Sequence, residues 1–139
     1  MFIIRRYKSL VALVALLAFS IVACSPGVES AKASVDSIEI LILESFPVQI
    51  HVVARGHLPD DCTEIGEIIQ ERRGNTFSVT ITTARPAGVA CAEMVVSFEE
   101  VIPLDVVGLP AGTYTVDVNG VRDSFELTVD NVAPEEPGS

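Results

Sequence analysis

Leu109–Val129, LPAGTYTVDVNGVRDSFELTV, is the stretch on which the fold turns. Tyr114, Val116 and Val118 alternate with Thr113, Thr115 and Asp117, and Phe125, Leu127 and Val129 alternate with Ser124, Glu126 and Thr128. A period of two puts successive side chains on opposite faces of a strand, so each half is a strand with one apolar face. Asn119-Gly120 lies between them, and Asn-Gly readily supplies the two positive-φ positions of a tight hairpin turn. The stretch is predicted to be a β-hairpin that buries one face.

The same pattern repeats toward the amino terminus. Phe77, Val79 and Ile81 alternate with Ser78, Thr80 and Thr82, and Val48, Ile50, Val52 and Ala54 alternate with Gln49, His51, Val53 and Arg55. Ile38, Ile40 and Ile42 alternate with Glu39, Leu41 and Leu43, a run apolar on both faces. Ser45-Phe46-Pro47, Gly56–Asp61 and Arg73-Gly74-Asn75 supply turn chemistry between runs. Thr63–Arg72 suits either a strand or a helical turn. Between Cys91 and Val107 the even positions are apolar except Glu100, which suits two strands or one bent strand. Short β-branched strands at this spacing predict an all-β, antiparallel, two-sheet sandwich of about seven or eight strands.

Leu109-Pro110-Ala111-Gly112-Thr113-Tyr114 resembles the tyrosine corner of immunoglobulin-like and fibronectin-type modules. The resemblance implies that the Tyr114 hydroxyl bonds back to nearby backbone and fixes the crossing between sheets. The chain has no Trp, so it lacks the core Trp of antibody domains and resembles the wider bacterial immunoglobulin-like group.

The amino terminus has a different character. Arg5, Arg6 and Lys8 precede an apolar run, Leu10–Ile21, and Ala23-Cys24 is followed by Ser25-Pro26-Gly27. A basic start, an apolar middle of about a dozen residues and a small residue before the cut describe a secretory signal. The run falls short of the roughly 20 residues of a spanning helix. Ile21-Val22-Ala23-Cys24 resembles the lipobox of bacterial lipoproteins. The resemblance implies a diacylglyceryl group on the Cys24 thiol, cleavage after Ala23, and a protein held outside the cytoplasm at the cell membrane or outer membrane. An ordinary signal peptide with a chance cysteine, or an uncleaved anchor, is the alternative. The expected organisation is a signal peptide at 1–23, lipidated Cys24 and a flexible tether at 24–34, the sandwich at 35–129, and a disordered acidic tail at 130–139.

Loss of 1–23 leaves six basic residues against 19 acidic ones, a net charge of −13. Without clustered Lys and Arg, nucleic acid is not an expected partner. The polypeptide itself is not expected to bind anionic lipid by charge, and membrane contact falls to the lipid on Cys24. Cys62 and Cys91 remain as an even pair in an exported chain, which reads as a disulfide, with two buried thiols as the alternative. Facing residues of a hairpin turning at Gly74-Asn75 have a nearly constant sum of numbers. By that rule Cys62 and Cys91 fall at the open end of the hairpin.

The search for chemistry finds no catalytic residue. His57 with Asp60 and Asp61 is the nearest approach to a metal site, but no second histidine or thiolate stands at ligand spacing, and no metal is expected. Ser78 and Ser124 lie on polar strand faces with no histidine tied to them, and no phosphate-binding glycine loop or other cofactor signature appears. A loop on a rigid scaffold can still bind. Ala84–Ala90 is the candidate, with Arg85, Pro86, Ala87 and Gly88 as its partner-binding residues and Arg85 as a rare positive charge, and a loop that merely connects two strands is the alternative. The expected function is a non-catalytic interaction module with an envelope or extracellular protein partner and no small-molecule cofactor. The alternative is an extracellular protease inhibitor of immunoglobulin-like fold, although the chain lacks the tryptophan-bearing loops of chagasin-like inhibitors.

Closing a loop of about 30 residues removes on the order of 3–4 kcal/mol of unfolded-state entropy. Cys62→Ser is therefore expected to lower the melting temperature markedly while leaving the far-ultraviolet spectrum unchanged. A melting curve insensitive to reductant, with free thiols titrated in native protein, contradicts the pairing.

Overall fold

The computed structural model describes residues 27–135, so Cys24 and the expected signal peptide lie outside the described residues. Eight strands run in chain order: β1 (Val28–Lys32), β2 (Ser34–Leu43), β3 (Gln49–Leu58), β4 (Glu64–Arg73), β5 (Thr76–Pro86), β6 (Val96–Leu104), β7 (Gly112–Val118) and β8 (Val121–Leu127). They form two facing sheets. One has the order β2-β3-β6, and the other contains β1, β4, β5, β7 and β8 around β5. The expected all-β sandwich is what the chain adopts, and no helix among the described residues is long and apolar enough to cross a membrane. Every pairing is antiparallel except β5–β7, which is parallel over Thr76–Val79 and Thr115–Val118. Both strands run away from the same end of the sandwich. β1 covers the flank of β5 at Thr82–Pro86, leaving Thr76–Val79 of that flank to β7.

The alternation read from the sequence marks the core. Ile50, Val52 and Ala54 of β3 and Ile102 and Leu104 of β6 face Phe77, Val79 and Ile81 of β5, Tyr114, Val116 and Val118 of β7, and Phe125 and Leu127 of β8. Phe77, Tyr114 and Phe125 form an aromatic cluster with ring centroids 5.5–6.1 Å apart, within the range favoured for aromatic pairs. The Tyr114 hydroxyl donates to the Pro110 carbonyl at 2.7 Å, the back-bond expected of a tyrosine corner. Thr63–Arg72 resolves as strand, for β4 pairs with β5 from Glu64 to Arg73 with a bulge between Ile65 and Ile68. Residues 96–104 form one strand, and Glu100 is tolerated on it opposite the small side chain of Ala54. Gly56 is required where β3 lies between β2 and β6, because a Cβ there would strike the Ser34 carbonyl of β2 and lie 2.7 Å from the Phe98 ring.

Three sequence boundaries shift. Residues 28–32, expected within the tether, form β1, paired with β5 from Val28↔Pro86 to Lys32↔Thr82. All five residues of β1 are exposed, so backbone pairing and not apolar burial makes them a strand. Gly56–Leu58, expected in a turn, belong to β3. Asp130 and Asn131, expected in the tail, are structural. Asp130 accepts from the Ala111 amide, and the Asn131 side chain, 1% exposed, accepts from Val48 N and donates to Val48 O and Val106 O.

Asn119 holds the junction of β1, β5 and β7. It sits at φ 49 in the expected Asn-Gly turn. Its Oδ1 accepts from Ile81 N at 3.0 Å, and its Nδ2 donates to Ala33 O and Ile81 O at 2.8 Å each. Asn119→Ala leaves Ile81 N and the Ala33 carbonyl without this partner and adds left-handed strain, an expected loss of about 3–4 kcal/mol. Asn119→Gly removes the strain and keeps the loss of bonds, so it is expected to cost about 2 kcal/mol. Urea denaturation of both variants checks this, and equal costs would assign the whole effect to the bonds. A chain ending at Val129 is expected to be less stable than one ending at Ala133 by about 3 kcal/mol, through loss of Asn131. Equal urea midpoints would restore Asn131 to the tail.

Candidate functional site

The pairings give the sandwich two ends. At the lower end β1 begins, β3 and β5 finish, and β4 and β6 begin. At the upper end lie the β2–β3 loop, the β4–β5 turn, the segment 105–111 and the exit of β8.

The lower end is braced around Asp60. Asp60 Oδ1 accepts from Cys62 N, Thr63 N and Thr63 Oγ1 at 2.7–3.0 Å, an Asx-type turn, and Oδ2 accepts from Arg85 Nε at 2.9 Å. Asp61 Oδ1 accepts from Ala92 N at 3.0 Å. Cys62 and Cys91 are joined by a disulfide with a Cα–Cα distance of 5.8 Å. The β4–β5 register has the expected constant sum from Arg73↔Thr76 to Ile68↔Ile81 and slips by one at the bulge, which leaves Cys62 just outside the last pair. The Ala87 amide donates to the Gly27 carbonyl at 2.9 Å, so the first described residue is fastened to this end.

The expected recognition loop is rearranged by these contacts. Arg85 and Pro86 belong to β5, so only Ala87 and Gly88 of the four candidate residues lie in the loop. Arg85 is not a free positive charge. It is paired with Asp60, lies 3.8 Å from Glu29 and donates to the Val89 carbonyl. Its local carboxylates neutralise it, so it reads as an internal brace. An open cleft of about 420 Å³ adjoins it, lined by Pro59, Asp60, Arg85, Glu93, Met94 and Val95 together with Cys91.

The expected metal candidates do not converge. His57 lies on β3 and its Nδ1 is 3.0 Å from Asp36 Oδ2, turned to β2 and away from the 60–61 turn. Donor atoms of Asp60, Cys62 and Cys91 do lie within 4.8 Å of one another. The two sulfurs are bonded to each other, however, and a metal needs thiolates. On the outer face of β2-β3-β6, Arg55 pairs with Glu39 at 3.0 Å and Glu99 at 2.7 Å. These groups are about half exposed, and such pairs contribute little to stability.

Sequence reasoning missed the upper end. Phe46 in the β2–β3 loop, Val107, Val129, Val132 and Ile42 are each more than half exposed there. Asn131 ties their segments together through its bonds to Val48, Val106, Gly108 and Leu109. A shallow groove of about 280 Å³ beside them is lined by Val48, His51, Pro103, Val106 and Val107, among others. Phe46-Pro47 was legible only as turn chemistry, because exposure at a loop tip has no periodic signature.

Hydrogen bonds from Thr63 and then Arg85 hold the Asp60 carboxyl below its ordinary value of 3.8. A lowered carboxylate contributes stability that is complete above that ordinary value and is lost as pH falls through the lower folded value. Asp60→Asn is therefore expected to melt below the parent at pH 7, with the gap closing as pH falls below about 3.8. Melting curves from pH 7 to 2 check the sign, and a gap that widens in acid contradicts it.

Comparison with known proteins adds the family. Residues 52–127, more than half of the chain, match the family described as the ORF11 beta-sandwich domain. The chain is similar to the "Uncharacterized 10.2 kDa protein in HgiCIIM 5'region" of Herpetosiphon aurantiacus, 34% identical over 93 residues, which are 67% of this chain and 98% of that protein. It is also similar to the "Uncharacterized 10.2 kDa protein in HgiBIM 5'region" of the same organism, 36% identical over 83 residues, 60% of this chain and all of the relative. No solved structure matches. The matched residues of this chain span Cys62, Cys91, Tyr114 and Asn119, and the chain belongs to the ORF11 beta-sandwich domain family.

Proposed function

We propose that this chain is an exported lipoprotein whose β-sandwich is a non-catalytic binding module at the cell envelope. The observation that carries the reading is where the chain enters the fold. Gly27 is bonded to the lower end, three residues after the Cys24 of Ile21-Val22-Ala23-Cys24. The exposed apolar residues Phe46, Val107, Val129 and Val132 lie at the opposite end. An anchor at one end and an uncovered apolar surface at the other suit a module that a membrane holds and a protein partner meets. The Cys62–Cys91 disulfide supports export, since such bridges persist in oxidising compartments. A group of exposed apolar side chains at the tip of a rigid scaffold supports a contact surface for a protein partner, with Phe46 as its one aromatic group.

Mass spectrometry of the mature amino terminus, taken from native membranes, tests the anchor. The expected product begins at Cys24 and carries a diacylglyceryl group. An intact Met1, or cleavage elsewhere without lipid, overturns it. Cross-linking from the same membranes then tests the binding surface. Phe46→Ser is expected to reduce recovery of a specific envelope partner roughly tenfold or more, as loss of an interface anchor does. Recovery unchanged by Phe46→Ser, or inhibition of an extracellular protease blocked by changes at Ala87 and Gly88, would move function to the lower end and favour the inhibitor reading.

A further inference from the structure

The start of β1 alters what an anchor on Cys24 would do. A tether running to residue 34 would let the domain swing freely. With Val28 already paired to Pro86 and Gly27 bonded to Ala87, only three residue steps separate Cys24 from the body of the fold. At no more than about 3.6 Å per residue these span about 11 Å. The headgroup layer on one side of a bilayer is itself about 5–8 Å thick. A lipid on Cys24 therefore leaves too little chain to hold the lower end away from the surface.

The lower end is also where a second group of apolar side chains stands in solvent. Val28 is 69% exposed, Val89 46%, Met94 53% and Val95 73%. Val28 begins β1, Val89 follows the β5 exit and takes a hydrogen bond from Arg85, and Met94 and Val95 line the cleft beside Arg85. All four are gathered around the disulfide and the entry of the chain.

We infer that Val28, Val89, Met94 and Val95 form a membrane-contact surface that seats the lower end of the sandwich on the interfacial zone of the bilayer. The inference rests on the lipid-anchor reading and adds an orientation to it. The charges around the surface select the kind of bilayer. Glu29, Asp61, Glu64 and Glu93 are exposed nearby, while Arg85 is neutralised by Asp60 and Glu29. Such a surface is repelled by anionic headgroups and accepts a zwitterionic one. The disulfide and the Asp60 turn then brace the face that meets the lipid. The upper end, with Phe46 and Val107, is turned to the aqueous side.

The chain contains no Trp, so a single introduced Trp reports alone. The experiment uses the full chain, processed in its membrane and reconstituted into phosphatidylcholine vesicles, with the lipid on Cys24 verified by mass. Val95→Trp is expected to emit at shorter wavelength and to be quenched by brominated phosphatidylcholine several-fold more than Phe46→Trp. Both sites are exposed, and both carry the same Trp preference for interfaces, so the difference reads orientation. Val89→Trp serves as a second lower reporter should either variant lose its β spectrum. Equal quenching at both ends, or stronger quenching at Phe46→Trp, overturns the orientation while leaving the anchor standing. Absence of lipid on Cys24 overturns the anchor and the orientation together.

Discussion

The architecture depends on how one flank of β5 is kept hydrogen-bonded across a break. β1 occupies part of that flank and β7 another part, and they run in opposite directions. Between them the chain leaves one sheet at Ala33 and starts β2 in the other. Buried backbone groups need partners, so the gap must be filled. Asn119 fills it. Its amide stands in for a peptide group toward Ile81, its own N–H reaches Val79 O, and its Nδ2 holds the Ala33 carbonyl at the crossing. That bridge joins β1, β5 and the β7–β8 turn at one point, in addition to the ladders that pair them.

Two other side-chain amides do similar work at long range. Gln70 on β4 donates to Pro103 O and accepts from Asp105 N, which ties β4 of one sheet to the edge strand β6 of the other. Pro103 has no N–H to offer and is at home on an edge strand, where only its carbonyl needs a partner. Asn131 likewise treats Val48 as a strand neighbour would, exchanging a bond in each direction. An unpaired strand edge invites association with other chains, and the Gln70 bridge engages part of the β6 edge. Contacts between β2 and β8 bring the sheets together on the opposite flank. The ladder bonds within each sheet are thus supplemented by amides that join segments remote in sequence.

Much of the fold was legible in the chain because burial leaves a period of two. Phe77, Val79 and Ile81, or Tyr114, Val116 and Val118, announce an inward face within a few residues of sequence. Asn119-Gly120 announces its turn equally locally. The features that escaped are those without a local cause. β1 is exposed at every position, so nothing in its composition separates it from a tether, and only the free flank of β5 makes it a strand. Asn131 looks like any polar residue near a Pro- and Gly-rich end, yet its partner lies 83 residues away. Arg85 read as an available charge because Asp60 and Glu29 approach it only in the folded chain. The cysteine pair was legible because Cys62 and Cys91 are the two cysteines left once Cys24 is assigned to the anchor, and the Gly74-Asn75 turn only brings them to the same end of the hairpin.

The two ends of the sandwich are built from different interactions. The lower end is held by a covalent bridge and charge-assisted hydrogen bonds centred on Asp60. Such bonds exceed neutral ones in strength, and here they gather the chain entry, the β3–β4 turn and the β5 exit into one unit. The upper end is joined by amide bonds through Asn131 and by the Asp130 carboxylate on the Ala111 amide, and Phe46, Val107, Val129 and Val132 stand exposed there among Glu44, Asp105 and Asp130. An apolar contact surface needs its supporting loops held in place but gains nothing from fixed charges that a partner would have to desolvate. Asn131 meets the first condition, because its amide satisfies backbone groups of Val48 and Val106 without adding a charge of its own. The two ends thus differ in what holds them, a disulfide and an ion pair at the lower end and chiefly side-chain amide bonding at the upper end.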